Sequence, residues 1–314
     1  MDMKKMSEKI IITGATGFIG KAVSHFLLEN GYEIIALSRN PSKYELTEDN
    51  RMKFVLWDGQ KAEGWVEYAE NAKAIINLAG ENIASGIWTD RKKRKILESR
   101  VKATQAILQA IKRLNTKPEV MIQASAIGYY GSRPDQVLDE SSSAGKGFLA
   151  DLTQIWEETA SIIQKSSVRL VILRFGVALG KHGGLLPRIK PVFKSFLGGH
   201  FGSGEQYISW IHITDITKSI HYLLSQYQLK GVFNLTAPQP VSSREFFKCV
   251  GEHLHRPSWF HVPAGIIKTL MGEMAEELLL ANQRVMPKRL IENDFQFNYP
   301  TLDSALSQLF DENV

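Results

Sequence analysis

Three glycines, Gly14, Gly17 and Gly20 in "ITGATGFIGKAV", stand between a short β-branched run and an apolar stripe of helical spacing, and this placement constrains the fold more than any other feature. The run "KIIITG" reads as a strand. After the glycines, Ile19, Ala22, Val23, Phe26 and Leu27 recur at helical spacing, and Gly31 stands where a helix C-cap glycine is expected. A strand that turns tightly into a helix brings unpaired backbone N–H groups and the positive end of the helix dipole to one point, which is a seat for a pyrophosphate. The spacing Gly-x-x-Gly-x-x-Gly is one residue wider at the start than the common dinucleotide fingerprint. A phosphate loop ending in Gly-Lys-Ser/Thr is excluded, because Ala15 stands where its first glycine is needed and Ala22 follows Lys21.

Five more strand-like runs follow at intervals that leave room for helices: "YEIIALSR", "MKFVLWD", "AKAIINLAG", "EVMIQASAIG" and "VRLVILRFGVALG". Strands alternating with amphipathic segments predict βαβ units in a doubly wound parallel sheet, an α/β fold. A chain of 314 residues that is 44% hydrophobic can bury a core of that size. Residues 9–180 are expected to form the dinucleotide-binding domain. From 181 to 314 the texture changes: "GKHGGLLPRIKP" is rich in Gly and Pro, and the short runs "QYISWI", "GVFNLTA", "SWFHVP" and "FQFNYP" alternate with helices. These predict a smaller C-terminal α/β substrate lobe, with some segments returning to the first sheet.

The ends of the predicted strands supply the candidate ligand contacts, since open parallel sheets bind at their carboxyl edge. The second strand ends in Ser38 and Arg39 where an NAD enzyme presents a carboxylate to the ribose 2′-hydroxyl. A guanidinium suits a 2′-phosphate, so NADP(H) is the expected cofactor. Asp58 in "LWDG" is placed either to face the adenine or to initiate a turn, and Leu78, Ala79 and Gly80 in "NLAGEN" close the next strand. Arg100 falls in the stripe Ile96, Arg100, Ala103, Ile107, Ile111 on the sheet-facing side of a helix. Its charge needs a partner there, either cofactor phosphate or a carboxylate.

Several classes are excluded. The single Cys249 rules out an intramolecular disulfide and a multi-thiolate metal site, and a reducing, cytoplasmic setting is expected. No apolar run reaches the length of a membrane span, and residues 1–8 lack a signal peptide's apolar stretch. The basic run from Arg91 to Lys95 has no interleaved aromatics and reads as a solvated helix face, so no nucleic acid is expected. His253 and His255 have no carboxylate at ligand spacing, and no metal is expected. A small-molecule substrate is the expected partner, with a homodimer left open.

The motifs "TGATGFIG", "NLAG", "SAIGYYG", "LRFGVALG" and "WIHITD" resemble the extended short-chain dehydrogenase/reductases, the NAD(P)-dependent epimerase/dehydratase family with its Rossmann fold. The longer stretches "INLAGENIASGIWTDRKKRKILESRVKAT", "FLADLTQIWEETA", "GSGEQYISWIHITDI" and "LLLANQRVMPKRLIENDFQFNYPTLDSAL" are similar to an atypical branch, the epimerase family proteins of nucleoside-diphosphate-sugar epimerase type with their own C-terminal domain. The resemblance implies NADP(H) held by Gly14, Thr16, Gly17, Phe18 and Ile19 at the phosphates and by Ser38 and Arg39 at the adenosine ribose. It places Leu78, Ala79 and Arg100 in the same groove, and Ser125 where relatives orient the substrate oxygen.

One departure is plain. Relatives follow that serine with Tyr-x-x-x-Lys, the lysine lowering a phenol pKa that is otherwise near 10. Aligning "IWEE" puts Leu149 and Thr153 at the two positions, and none of the nine tyrosines has a lysine four residues later. Three readings follow: an enzyme in which Ser125 and either Tyr129 or Tyr130 handle the proton; an NADP(H)-binding protein that reports redox state without turnover; and an interaction module on an inherited scaffold. Trp210 and His212 are expected either to line the substrate pocket or to be buried structural residues, and one of Tyr129 and Tyr130 is expected to pack beneath the cofactor.

Overall fold

The six β-branched runs become strands and a seventh joins them: β1 (Lys9–Thr13), β2 (Glu33–Ser38), β3 (Met52–Leu56), β4 (Ala74–Asn77), β5 (Val120–Ala126), β6 (Arg169–Phe175) and β7 (Gly231–Leu235). This is a computed structural model that describes residues 7–44, 50–134 and 136–311. The strands lie in the order β3-β2-β1-β4-β5-β6-β7, every neighbouring pair parallel. Order reverses at β1, so the crevice outside the carboxyl ends of β1 and β4 is the position where such sheets take ligands.

Strands covered on both faces read as continuous apolar runs, which is why Ile10, Ile11 and Ile12 are all fully buried. Helices α1 (Phe18–Glu29) and α4 (Ile213–Ser225) bring Val23, Leu27, Ile216 and Ile220 to the face carrying Ile10 and Ile12. On the other face α2 (Asp90–Arg113) brings Ala103, Ile107 and Ile111 to Ile11 and Ile75, with α3 (Phe148–Ser161) alongside it. Gly31, with φ +87°, ends α1 as expected: its N–H donates to Leu28 O and that of Tyr32 to Leu27 O.

The C-terminal region departs from the sequence reading in three places. "VRLVILRFGVALG" is two strands: at Gly176 the chain leaves the first sheet, and Val177–Gly180 pairs instead with Trp210–His212. Backbone donors change partner there, Gly176 N–H reaching Leu235 O and Val177 N–H reaching Ser209 O. "GVFNLTA" is β7 and returns to the first sheet. "SWFHVP" and "FQFNYP" are not strands. The first runs beside residues 196–202, Phe260 N–H donating to Gly198 O and Val262 N–H to His200 O, but forms only an isolated bridge there, between Phe201 and Val262, and leaves Trp259 and Phe260 exposed. The second packs Phe295 edge-on against Tyr222 of α4, so its alternating aromatics serve packing rather than pairing. The lobe has its own core around Phe193, Trp210, Phe246, Phe247 and Leu306. Among the described residues no helix is long and apolar enough to cross a membrane.

The contact that positions the ligand edge is between backbone atoms. Gly14 has φ +68°, and a Cβ there would lie 2.5 Å from Leu78 O of the next strand's end. A Cβ on Gly20 would lie 2.1 Å from Gly14 O, so α1 can reach β1 this closely only without that atom. Gly31 has the same left-handed backbone but nothing within 4 Å of the added Cβ. Urea denaturation is expected to show Gly31→Ala losing about 1 kcal/mol from backbone strain alone. Gly14→Ala adds a clash to the same strain and is expected to lose at least about 2 kcal/mol more. Equal losses would remove the steric role assigned to Gly14.

Candidate functional site

At the start of α1 the N–H groups of Phe18, Ile19 and Gly20 meet no protein acceptor among the described residues, while Gly17 N–H closes the turn onto Gly14 O and Lys21 N–H bonds Gly17 O. No acidic side chain stands in the first turn, and the N-cap Gly17 has no side chain to compete for these donors. The result is a preformed anion seat.

Beneath it, Thr13 Oγ1 donates to Asn77 Oδ1 (2.6 Å) and accepts from the N–H groups of Leu78 and Ala79. Asn77 Nδ2 in turn donates to Gln123 Oε1 (2.9 Å). This buried amide chain ties the carboxyl ends of β1, β4 and β5 together. It is absent from the sequence reading because its members are sixty-odd and forty-odd positions apart.

Two adjoining cavities share the walls Gly14, Gly17 and Leu78 and so form one groove over the strand ends. In the first, Thr16, Ser38, Arg39, Asp58, Ala79 and Gly80 come together. Arg39 is exposed and makes no ion pair among the described residues. Asp58 lines the cavity and also initiates a turn, its Oδ1 accepting from the N–H groups of Gln60 and Lys61. Lys95 and Lys102 line this cavity as well, which a solvated basic face did not anticipate.

The second cavity, about 470 Å³, brings Phe18, Ile19, Arg100 and Ser125 together with Leu149 and Thr153. Arg100 meets the charge of the Glu81 carboxylate and two backbone carbonyls. Its Nη1 donates to the carbonyls of Glu81 (3.1 Å) and Ile96 (3.0 Å), and its plane lies over Trp156. Burial lowers its pKa to about 10, which leaves it charged at neutral pH.

Ser125 is 3% exposed and its Oγ donates to Glu157 Oε1 at 2.6 Å. Glu157 is gripped by Arg174 through Nε (2.8 Å) and Nη2 (2.7 Å), and Arg174 Nη1 donates to Tyr130 Oη (2.9 Å), which donates to Asn234 Oδ1 (2.8 Å). Burial opposes the charge on Arg174, but the hydrogen bond and charge of Glu157 outweigh it and raise its pKa. Burial pushes the Tyr130 phenol up to about 12 against the pull of Arg174, so it is not ionised near neutral pH. The Tyr129 ring lies on the Arg174 guanidinium, 3.3 Å from centroid to Cζ, and is not among the residues lining either cavity.

The last wall comes from far along the chain. Helix α3 starts at Gly147 without a side-chain cap, and Glu277 supplies one: Phe148 N–H donates to its Oε1 and Leu149 N–H to its Oε2, each at 2.7 Å. Burial raises the pKa of Glu277 despite these bonds. Leu278 and Gln283 line the same cavity. Nothing local in the sequence marks these residues, because their role depends on a fold that brings them against position 148.

Trp210 and His212 lie elsewhere. Trp210 is fully buried with Nε1 donating to Gln239 O. His212 caps α4, its Nδ1 accepting from Thr214 N–H while Nε2 faces Gln308 Oε1 at 3.0 Å, and burial lowers its pKa to about 4. Cys249, His253 and Asp303 bring ligand atoms within 4.8 Å of one another, the carboxylate arriving from a separate helix rather than at sequence spacing.

Glu157→Gln leaves the Arg174 charge buried without its counterion and is expected to cost about 3–5 kcal/mol of unfolding free energy. Glu63→Gln, at the exposed pair with Arg113, is expected to leave the urea midpoint almost unmoved. Similar midpoints for the two variants would contradict the role of the buried pair.

Comparisons with known proteins agree with this geometry. Residues 10–236 match the NAD dependent epimerase/dehydratase family, and residues 262–309, which include Glu277, match a domain of unknown function, DUF1731. The chain is 37% identical over 301 residues to the epimerase family protein YfhF of Bacillus subtilis, covering 96% of this chain and 97% of that one. It superposes on the crystal structure of human epimerase family protein SDR39U1 with NADPH with a TM-score of 0.86 and 28% identity, covering 97% of this chain and 99% of that one. A UDP-glucose 4-epimerase of Thermus thermophilus, in complex with NAD, has a TM-score of 0.77 at 18% identity, covering 98% of this chain and 100% of that one; at this level the fold alone is shared. With its glycine turn, its reversed sheet and its matched residues taken together, the chain belongs to the NAD dependent epimerase/dehydratase family.

Proposed function

We propose that the protein is an NADP(H)-dependent oxidoreductase of this family. The observation that carries this is the continuous groove. Among the described residues it has three N–H groups without a protein acceptor at its centre, Arg39 without an ion pair at one end and Ser125 at the other. The N–H groups of Phe18, Ile19 and Gly20 suit the pyrophosphate, Ser38 and Arg39 the 2′-phosphate, and the Ser125 cavity the nicotinamide. The human relative, crystallised with NADPH, supports the same reading.

The nicotinamide, when bound, supplies or accepts hydride at the substrate carbon. The chain's own part is orientation of the substrate. Because Ser125 gives its hydrogen to Glu157, its oxygen faces the cavity as an acceptor, so a substrate hydroxyl donates to it. Glu157 is held by Arg174 and acts as the positioning group that fixes this polarity. Leu149 and Thr153 cannot exchange the proton: one is apolar and the other donates within α3 to Leu149 O and Ala150 O. Tyr130 is held protonated, and the role expected of Tyr129 would require its ring to leave Arg174.

The absence of an ionising pair at positions 149 and 153 also favours a second reading, a protein that binds NADP(H) and reports redox state without turnover. Stopped-flow loss of NADPH absorbance against a panel of carbonyl compounds separates the two: substrate-dependent oxidation is expected for an enzyme, and tight NADPH binding with none identifies the sensor.

Calorimetry is expected to give a tighter Kd for NADPH than for NADH, and Arg39→Ala is expected to shrink the ratio about ten- to a hundredfold, as for a lost charge-assisted hydrogen bond. Equal affinities in the parent protein would refute the cofactor assignment. Ser125→Ala is expected to lower turnover about a hundredfold. Unchanged turnover would remove Ser125 from the reaction.

A further inference from the structure

The polar side chains of the Ser125 cavity already have partners inside the protein. Thr153 Oγ1 donates to Leu149 O (2.8 Å) and Ala150 O (3.0 Å). Gln283 Nε2 donates to Ile127 O (3.1 Å) and Gly131 O (3.0 Å). Each oxygen of Glu277 takes a backbone N–H of α3, and Arg100 is turned onto two carbonyls and a tryptophan face. Ser125 gives its proton to Glu157. Between these groups the wall is apolar: Ile83, Leu149, Leu152, Trp156 and Leu278.

A ligand entering such a chamber loses water from every polar group it carries and recovers few hydrogen bonds. A sugar ring, with a hydroxyl on most of its carbons, is penalised at each one. A compound with one oxygen to set against Ser125 and an apolar body is not, and it gains from burial against leucine and tryptophan. Size points the same way, because the nicotinamide must share the cavity of about 470 Å³.

We propose that the Ser125 cavity accepts a compact, uncharged, largely apolar alcohol, its hydroxyl donating to Ser125 Oγ, and rejects sugar nucleotides, the compounds after which the solved UDP-glucose 4-epimerases of the same fold are named. The proposal rests on the cofactor assignment above, with the nicotinamide lying in this same cavity. In the oxidation direction the substrate C–H bond breaks, its electron pair leaves as hydride to NADP+, the C–O bond becomes a double bond, and the hydroxyl proton passes to water. Leu149 is part of this selectivity. It occupies the position where relatives carry an ionisable phenol, and its side chain packs at Gly128, where an added Cβ would lie 3.0 Å from Leu149 Cβ.

The test uses the full chain saturated with NADPH, which cannot accept hydride, so that only binding is read. Saturation is first verified by calorimetry. Cinnamyl alcohol is then expected to raise Tm in a saturable way, and UDP-glucose at equal concentration to leave it unchanged. Ile83→Gln and Leu278→Gln, both at half-buried wall positions, are each expected to weaken cinnamyl alcohol binding about tenfold. Stabilisation by UDP-glucose, or no saturable shift with cinnamyl alcohol while NADPH is bound, overturns the substrate class. Failure of NADPH itself to bind is a different result, and it overturns the cofactor assignment on which the class rests. An alcohol shift that both variants leave intact would also overturn the proposal, since binding would then lie outside this cavity.

Discussion

The site depends on how closely one helix can approach one strand. Gly14 O occupies the space that a side chain at position 20 would need, and Leu78 O the space a side chain at position 14 would need. Removing two Cβ atoms lets the first turn of α1 present its free N–H groups directly above the strand ends. The groove on either side is a consequence: one cavity extends toward Arg39 and the other toward Ser125, and they meet at Gly14, Gly17 and Leu78. Anything that pushed α1 outward by a methyl group would separate the anion seat from both.

A second constraint works from within the sheet. Glu157 and Arg174 place two opposite charges in the interior, an arrangement that contributes little net stability but defines one geometry. Through Ser125, Tyr130 and Asn234 the pair links β5, α3, β6 and β7. Asn234 continues the chain outward, its N–H to Glu140 Oε1 and its Nδ2 to Met286 O, within the C-terminal segment. The Ser125 hydroxyl at the cavity wall is therefore held by residues drawn from half the length of the protein.

How much of this was legible follows from how local each cause is. The glycine turn, the strand ends and the stripe on α2 are short-range patterns, and they located the sheet and the strand ends over which the groove lies. Arg100 was marked as a charge needing a partner; beside the Glu81 charge it takes two backbone carbonyls, which no residue type announces. Glu277, Gln283 and the Glu157–Arg174 pair are long-range and were missed, since a glutamate near the chain's end looks like any surface acid until α3 is found beneath it. "FQFNYP" misled for the opposite reason: alternation of aromatics is shared by edge strands and by loops packed on a helix.

The cap on α3 also sets an order of assembly. Positions 148 and 149 leave the ribosome long before position 277, so during synthesis the first turn of α3 has no acceptor for its amides. The glycine turn belongs to the early chain, but the wall around Ser125 closes only when the final segment docks. A nascent chain of this protein therefore carries the turn that shapes one half of its groove long before the residues that complete the other half.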